Sequence, residues 1–128
     1  MDPAAWLREK GFDPEGDLCT AIVGKKYVGT HTAMYEAARA GDLGVCRFLW
    51  EHGGAATIRT KNSSGSTPMF AACWNGHLDV ANWLFQVGAA EDIRTSSNNG
   101  YSPMLAACTG QRNLPLKQKA TVAWLLLH

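Results

Sequence analysis

The sequence predicts an all-α solenoid, a row of stacked helix–turn–helix units. Three observations favour this fold class. A motif recurs at a fixed shift of 35 positions, each copy carries helix start and stop signals, and the first helix of each copy is rich in small residues. A period of about 20 to 50 residues is typical of stacked supersecondary units. We expect each unit to bury its apolar face against its neighbours.

The best-formed unit is the stretch Thr67–Gly88. Thr67 is a good N-cap, since its hydroxyl can accept from a free amide of the first turn. Pro68 follows at the first helical position, where no amide hydrogen is needed. Gly76 ends the first helix as a left-handed cap, and the second helix runs on to Gly88. Neither helix is long enough to be stable alone in water.

Copies of this unit divide the chain into one domain of four parts. The predicted boundaries are an N-terminal half-repeat with an enlarged finger loop (1–31), repeat 1 (32–66), repeat 2 (67–101), and a divergent or truncated repeat 3 (102–128). Residues identical to those of Thr67–Gly88 recur 35 positions earlier and 35 positions later. The earlier ones are Met34, Ala37, Gly41, Leu43, Val45, Leu49 and Gly53, and the later ones are Pro103, Met104, Ala106, Ala107 and Cys108.

The N-terminal part begins with Asp2 and Pro3, a cap followed by a first helical residue, and predicts a short helix, Ala4–Lys10. We interpret it as the second helix of a degenerate half-repeat; an unrelated N-terminal helix is the alternative. In the long connection that follows, two β-prone runs, Thr20–Val23 and Lys26–Val28, flank a glycine turn and predict a hairpin. The lysines at its tip would contact an acidic partner or keep the tip soluble.

Later connections contain a recurring triplet. Ile58-Arg59-Thr60 returns as Ile93-Arg94-Thr95. We expect these triplets to form successive finger strands, with each Ile packed inward and the Arg side chains in a ladder along the exposed edge.

The third repeat begins regularly at Gly100–Cys108 and then departs from the pattern. Pro115 suits the first position of a longer last helix, Leu116–His128. Its apolar run Trp124–Leu127 is too large for one neighbour to bury, so we expect further repeats or a partner to cover it.

Composition limits the function classes. Lysine and arginine number 12 and acidic residues 11, a net charge of +1, which gives no electrostatic reason to expect nucleic acid or an anionic membrane. No apolar run approaches the ~20 residues of a membrane span. The first residues lack the basic and apolar regions of a secretory signal.

The chemistry-bearing residues do not form a catalytic, metal or cofactor motif. The four cysteines are spaced without any CxxC, and the four histidines are scattered, so a zinc site is not expected. Cys73 and Cys108 occupy one repeat position, which predicts buried core thiols. Such thiols indicate a reducing intracellular compartment, first of all the cytoplasm.

The run T-P-M-F-A-A-C-W-N-G-H-L-D-V-A-N-W-L-F-Q-V-G-A closely resembles an ankyrin repeat, whose signature is T-P-L-H-x-A-A followed by G-H and a leucine-rich second helix. The match runs from Gly65 to Ala89, with partial copies over nearly the whole chain. Phe70 stands where the family usually has His, so the hydroxyl–imidazole hydrogen bond at the helix start is lost. Tetratricopeptide repeats have a similar period, but their Trp and Tyr spacing is absent.

The resemblance implies where a partner would bind. In ankyrin repeats, contacts come mainly from the turn tips and from two positions late in the first helix. The turn positions here also include Val28, Gly29, Ser63 and Asn98, and the late first-helix positions of the third repeat are Thr109 and Gly110. The residues that we select as partner-binding are Trp74, Asn75, Arg39, Ala40, Tyr101, Asn99, Ser64, Ser66, His31 and Thr109.

Trp74 is the strongest single candidate, because it is the only large aromatic residue among the late first-helix positions, and Trp is enriched among interface anchors. The alternative is that it packs on Phe70 or on the turn of the next repeat. By contrast, one second-helix position recurs as an aromatic residue and predicts core stacking. Its members are Trp6, Phe48, Trp83 and Trp124.

The sequence therefore predicts a non-catalytic protein-binding module that presents a concave groove to a protein partner, without a cofactor. Two alternatives stay open. The chain could be a structural subunit, held in a larger multiprotein assembly through its edges and last helix. It could also be the regulatory ankyrin portion of an enzyme whose catalytic domain lies elsewhere.

Overall fold

The structure is a computed structural model that describes residues 2–19, 22–23, 30–109 and 115–128. Its helices follow the predicted order of short pairs. They are α1 (Pro3–Lys10), α2 (Ala33–Ala40), α3 (Leu43–Leu49), α4 (Pro68–Trp74), α5 (Leu78–Leu84), α6 (Pro103–Thr109) and α7 (Pro115–Leu127).

Side-chain caps start the helices at the predicted residues. The Thr32 hydroxyl accepts a hydrogen bond from the amide of Tyr35 at 3.1 Å, and the Thr67 hydroxyl accepts from the amide of Phe70 at 3.2 Å. The Asp2 carboxylate caps α1 in the same way. Each bond satisfies one of the amides that a first turn leaves without a helical partner.

The helix ends also follow the sequence signals. Gly41 and Gly76 have φ values of +73° and +70°, a left-handed conformation that suits glycine because it has no Cβ. The second helices α3 and α5 also end at left-handed glycines, since Gly53 and Gly88 have φ values of +104° and +129° and interrupt the helical backbone within the segments that follow. These segments are Trp50–Gly54 and Phe85–Ala89.

The helices pack in two layers. In the inner layer α4 lies between α2 and α6, and in the outer layer α3 contacts α1 and α5, and α5 contacts α7. The fully buried side chains Met34, Leu49, Met69 and Leu84 lie between the layers. Burial of a side chain of this size contributes about 1.5–3 kcal/mol, so the stacking of units holds these short helices. The predicted all-α solenoid is confirmed.

One short hairpin precedes α2. The strands β1 (Ile22–Val23) and β2 (Thr30–His31) pair antiparallel, with Ile22 opposite His31. The first strand lies in the predicted run. Its partner is Thr30–His31, whereas the predicted second run, Lys26–Val28, and the glycine turn lie outside the described residues.

The prediction of finger strands at the recurring triplets was wrong. Ile58-Arg59-Thr60 follows the 3₁₀ turn Ala55–Thr57 as an irregular turn, and Ile93-Arg94 form the end of the 3₁₀ segment Ala90–Arg94. Local hydrogen bonds explain this outcome, because the Thr57 hydroxyl donates to Gly54 O at 2.6 Å and the amide of Thr95 donates to Asp92 O at 3.2 Å. These bonds satisfy the backbone within the loop, where a strand would need a partner strand.

The side chains of these triplets are placed partly as predicted. Ile58 and Ile93 are buried in the core. The expected arginine ladder is replaced by a link between neighbouring units. Arg59 donates from Nε and Nη2 to the two oxygens of the buried Asp92, at 3.2 and 3.1 Å.

The aromatic second-helix position is buried in two of its four members. Trp6 and Trp83 are buried, whereas Phe48 and Trp124 are partly exposed and pack against the core edge. Phe48 stacks on His52 at 4.0 Å between ring centroids. The prediction that all four are core residues therefore holds for the first two and was too strong for the others.

The prediction for the two repeat-position cysteines was half wrong. Cys73 is buried and Cys108 is exposed. The reason lies in the packing of the inner layer, since α4 lies between α2 and α6, whereas α6 packs in that layer on α4 alone among the described helices. Leu105, one turn before Cys108, is also 40% exposed.

Among the described residues, no helix is long and apolar enough to cross a membrane.

Candidate protein-interaction groove

A pocket of about 250 Å³ lies between the inner-layer helices α2 and α4 and the loops that precede α4 and α6. We call it the groove pocket. Its lining comes from three successive parts of the chain, since 1–31 contributes His31 and each of 32–66 and 67–101 contributes a first helix and the loop that ends the unit. The pocket therefore exists only when the units are stacked.

Tyr35 and Arg39 form the α2 wall. His31, at the end of β2, stacks on Tyr35 at 4.9 Å between ring centroids, and the Arg39 guanidinium lies 5.2 Å from the Tyr35 ring centroid. Burial raises the pKa of Tyr35, and the nearby Arg39 charge opposes that rise. The phenol is therefore neutral at physiological pH, and this wall carries a cation stacked on an aromatic ring.

Phe70 and Trp74 form the α4 wall, one helical turn apart. Their ring centroids are 6.0 Å apart with planes inclined by 19°, and Trp74 stacks in turn on Tyr101 at 6.3 Å and 14°. Phe70 is buried, Trp74 is half-buried, and Tyr101 is 40% exposed. The three rings thus form a row that runs from the core to the surface. Trp74 thus packs on Phe70 and on the next turn, as the alternative predicted, and it also lines the pocket; that it anchors a partner stays a prediction.

Asn62 holds the loop that precedes α4. Its side-chain oxygen accepts from the amides of Ser64 and Ser66, each at 2.9 Å, and its Nδ2 lies 3.2 Å from His31 Nδ1. The next loop is closed in the equivalent place, where the Ser97 amide donates to Tyr101 O at 2.8 Å. These hydrogen bonds hold the two loops in their closed conformation, and the loops form one side of the pocket.

The described lining of the groove pocket contains one charged side chain, and the buried Glu36 lies one turn before it on α2. Arg39 is the only residue of fixed charge among its described lining residues, and none of them is acidic. Around the arginine are aromatic rings and neutral amide and hydroxyl groups. A surface of this kind offers aromatic faces for stacking and neutral groups for hydrogen bonds.

The structure brings most of the selected residues together. The lining includes His31, Arg39, Ser64, Ser66, Trp74, Asn75, Asn99 and Tyr101. Their exposure differs, since Asn99 and Ser64 are exposed whereas His31, Ser66 and Asn75 are buried. The Asn75 amide donates to Ala71 O at 3.0 Å and so also helps to end α4. That these residues contact a partner stays a prediction.

The other two selected residues lie elsewhere. Ala40 is exposed at the end of α2, where it lines a separate depression with Gly41, His77 and Asp79. Thr109 ends α6, and its side chain lies outside the described part of the chain. The same holds for the predicted turn residues Val28 and Gly29 and for Gly110.

Sequence reasoning missed five lining residues, which are Tyr35, Asn62, Phe70, Ala71 and Ser97. A signal for the aromatic ones was present. Phe70 lies four residues before Trp74, and Tyr35 lies four residues before Arg39. Side chains four apart meet on one helix face, so this spacing was the signal that could have placed each pair on the face of its late member.

A second unusual surface lies on α7. Leu126 and Leu127 are 74% and 81% exposed, while Leu125 between the helices is buried. Two adjacent leucines with such exposure form an apolar patch of the kind that marks interaction sites.

The thiols and other potential ligands are dispersed. Burial raises the pKa of Cys46 and of Cys73 to about 12, with nearby Asp42 and Asp79 adding to the rise for Cys46. Both thiols are therefore protonated and unreactive at neutral pH. Within the described ranges, no group of three or more His, Cys, Asp or Glu side chains could hold a metal ion.

Comparison with known families agrees with this architecture. A family model of ankyrin repeats, in three copies, matches residues 10–95, which is well over half of the chain. No curated protein matches the sequence. Ankyrin repeats are generally protein–protein interaction modules and typically non-catalytic. From the match, the helix pairs and the loop geometry we conclude that this chain belongs to the ankyrin repeat family.

Proposed function

We propose that this chain is a non-catalytic binding module that holds a segment of a partner protein in the groove pocket. One observation carries the proposal. Residues of three successive parts of the chain converge on one concave site that combines a half-buried Trp, an exposed Tyr and an Arg. Trp, Tyr and Arg are the residue types that dominate binding energy at protein interfaces.

The site also has the rigidity that a binding surface needs. Asn62 fixes one loop through two amide hydrogen bonds, and stacking on both neighbours restrains the Trp74 ring. Side chains held in this way lose little conformational freedom on binding, which leaves more of the contact energy for affinity.

We further propose that the units begin at residues 32, 67 and 102. We also propose a reducing, cytoplasmic setting, which the buried protonated thiols Cys46 and Cys73 favour.

The test begins with partner capture and ends with purified components. Proteins captured by the full chain are identified by mass spectrometry, and each is then purified and titrated against wild type and Tyr101→Ala by calorimetry. Tyr101 is the best first target because it lies in a loop and is 40% exposed, so its removal leaves the core intact. We expect affinity to fall by about tenfold or more, since truncation of an interface anchor often costs ~2 kcal/mol or more.

Trp50→Ala is the matched control. Trp50 is 37% exposed, nearly as much as Tyr101, but it lies edge-on to Trp83 and away from the groove pocket. Equal affinity losses for the two variants, or none for either, would refute binding in the groove pocket.

The exposed leucines of α7 favour a second candidate, a structural subunit that docks on an apolar helix face of another protein. Light scattering on the chain alone distinguishes the two. Self-association that Leu126→Lys abolishes, together with loss of partner binding in that variant but not in Tyr101→Ala, would place the function on α7.

A further inference from the structure

We propose that Asn99 is a site of spontaneous deamidation, at which its side-chain amide reacts with the backbone nitrogen of Gly100 and becomes a carboxylate. The reaction needs only the chain, a base and water. This inference goes beyond the proposed function, because it depends on the loop that precedes α6 and not on what the groove pocket binds.

The chemistry begins with an asparagine that is followed by glycine. The sequence contains two such pairs, Asn75-Gly76 and Asn99-Gly100. In each pair the glycine nitrogen, once hydroxide has removed its proton, can attack the side-chain carbonyl carbon of the asparagine. The new N–C bond closes a succinimide ring, the bond from that carbon to the side-chain nitrogen breaks, and the nitrogen leaves as ammonia. Glycine favours this step because it has no Cβ to obstruct the approach.

Water completes the reaction by adding to one of the ring carbonyl groups. Opening at the side-chain carbonyl gives aspartate. Opening at the main-chain carbonyl gives isoaspartate, in which the backbone runs through the former side chain. In sum, one amide and one water molecule become one carboxylate and one ammonium ion, and no atom is oxidised or reduced. The glycine nitrogen regains its proton when the ring opens.

The structure distinguishes the two pairs. Asn75 is 7% exposed, and its Nδ2 donates to Ala71 O at 3.0 Å at the end of α4. Because this side chain is held in the packed inner layer, its ring can close only after the segment opens. Asn99 is exposed in the loop before α6. Nothing lies within 4 Å of a Cβ added at Gly100, so that side of the glycine is open.

The turn around Asn99 sets the rate of the reaction. The amide of Asn98 donates to Ser64 O at 2.9 Å, and the amide of Gly100 donates to Ser97 O at 2.9 Å. The second bond must break before the Gly100 nitrogen can attack. It is a single bond in a surface loop, where local opening costs less free energy than in the packed helices. We therefore expect Asn99 to react in the folded chain.

The preceding unit supplies a matched control. The pair that lies 35 positions earlier is Ser64-Gly65. Its turn has the same form, since the amide of Gly65 donates to Asn62 O at 3.0 Å, and Gly65 and Gly100 have φ values of +74° and +79°. Serine has no side-chain carbonyl to attack. Asn99→Ser should therefore keep the turn and abolish the reaction.

The product changes the groove pocket, because Asn99 is one of its lining residues. Both products add a negative charge at an exposed position of the lining. Isoaspartate also adds one main-chain atom to the turn between Ser97 and Tyr101. The charge and the loop length of the site therefore change with the age of the molecule.

The experiment incubates the full chain at pH 8 in water enriched in heavy oxygen. Wild type and Asn99→Ser are compared, each in the folded state and in urea, and circular dichroism verifies the state. Peptide mass spectrometry measures conversion at Asn75 and at Asn99, and heavy oxygen in the product reports hydrolysis of the ring. Chromatography separates the aspartate peptide from the isoaspartate peptide.

In the folded wild type we expect Asn99 to convert about tenfold or more faster than Asn75, because Asn75 reacts only when its packed segment opens. In urea the two sites should convert at similar rates, since both are then Asn-Gly pairs in a flexible chain. Asn99→Ser should lose the product at position 99 and keep the reaction of Asn75 in urea. The rate at Asn99 should rise with pH, because the attacking nitrogen must lose its proton.

Three outcomes would overturn the inference. Equal conversion of Asn75 and Asn99 in the folded chain would contradict the selection by structure. Conversion of Asn99 in urea but not in the folded chain would show that the bond from Gly100 to Ser97 O protects the pair. A rate that does not respond to pH would exclude the succinimide step. None of these outcomes involves a partner, so the proposed function is tested separately.

Discussion

The close approach of Gly41 and His77 between two units allows a quantitative prediction for Gly41→Ala. An added Cβ would lie 2.5 Å from His77 Nδ1 and 2.6 Å from its Cε1 and Cγ atoms. The ring cannot simply move aside, because its Nε2 lies 3.1 Å from Arg39 O in hydrogen-bonding distance. Alanine would therefore disturb both the left-handed cap and the contact between neighbouring units.

The cost follows from two terms. A left-handed conformation costs a non-glycine residue about 1–2 kcal/mol, and overpacking of a well-filled site costs about 1–3 kcal/mol. We expect Gly41→Ala to lower the free energy of unfolding by roughly 2–5 kcal/mol, the sum of these terms. Urea unfolding followed by circular dichroism measures it from the shift in midpoint at constant slope.

Gly100→Ala is the control for the first term. Gly100 also has a left-handed backbone, with φ +79°, but nothing lies within 4 Å of its added Cβ, so only about 1–2 kcal/mol is expected. His77→Ala tests the second term, since Gly41→Ala should cost only the backbone strain in that background. Equal costs for Gly41→Ala and Gly100→Ala in the wild-type background would refute the reasoning.

Three further predictions concern the core, a helix cap and the thiols. Trp83→Ala removes a buried side chain and should lower the free energy of unfolding by about 3–5 kcal/mol, measured by urea unfolding. Trp50→Ala, at a position that is 37% exposed, should lower it clearly less. Similar values for the two variants would contradict the packing described. Thr67→Ala removes the cap to Phe70 N and should cost about 0.5–2 kcal/mol, whereas Thr67→Ser should keep most of the stability by the same assay. Iodoacetamide at pH 8 should modify the exposed Cys108. It should leave Cys46 and Cys73, whose pKa values burial raises to about 12, unmodified until urea unfolds the chain. Mass spectrometry of peptides counts the labels, and labelling of Cys73 in the folded chain would contradict its burial.

Helix boundaries could be predicted from the sequence because single residues determine them locally. Thr67 and Pro68 start α4 through a hydroxyl cap and a missing amide hydrogen, and Gly76 follows its end with a positive φ. Each of these effects depends on a few neighbouring backbone atoms, so the residue type alone indicates the outcome. The period of 35 then predicts the other units by repetition.

Burial at the last unit could not be predicted in this way. Cys73 and Cys108 occupy equivalent sequence positions, yet one is buried and the other is exposed. Their difference depends on which helices lie on either side, and residue type does not encode that. The finger strands failed for a related reason, since the Ile58 and Ile93 triplets are β-prone but their loops satisfy the backbone locally in 3₁₀ turns.

The sequence indicated most of the residues that line the groove pocket but missed the aromatic residues Tyr35 and Phe70. The resemblance indicated Trp74 and Arg39 from their place late in the first helix. It did not indicate Phe70, because the family position there is usually His and carries a structural role. The stacking of Phe70 on Trp74 depends on side-chain directions that only the packed helices define.

The bond between Arg59 and Asp92 joins two neighbouring units outside their apolar interface. Apolar contacts tolerate small rotations between units, whereas two hydrogen bonds to one carboxylate have a narrow range of angles. The link would therefore resist bending between these two units. Because the groove pocket has one wall on α2 and the other on α4, bending between units changes the width of the pocket. For the proposed binding function, the Arg59–Asp92 link would therefore couple the stiffness of the array to affinity in the groove pocket.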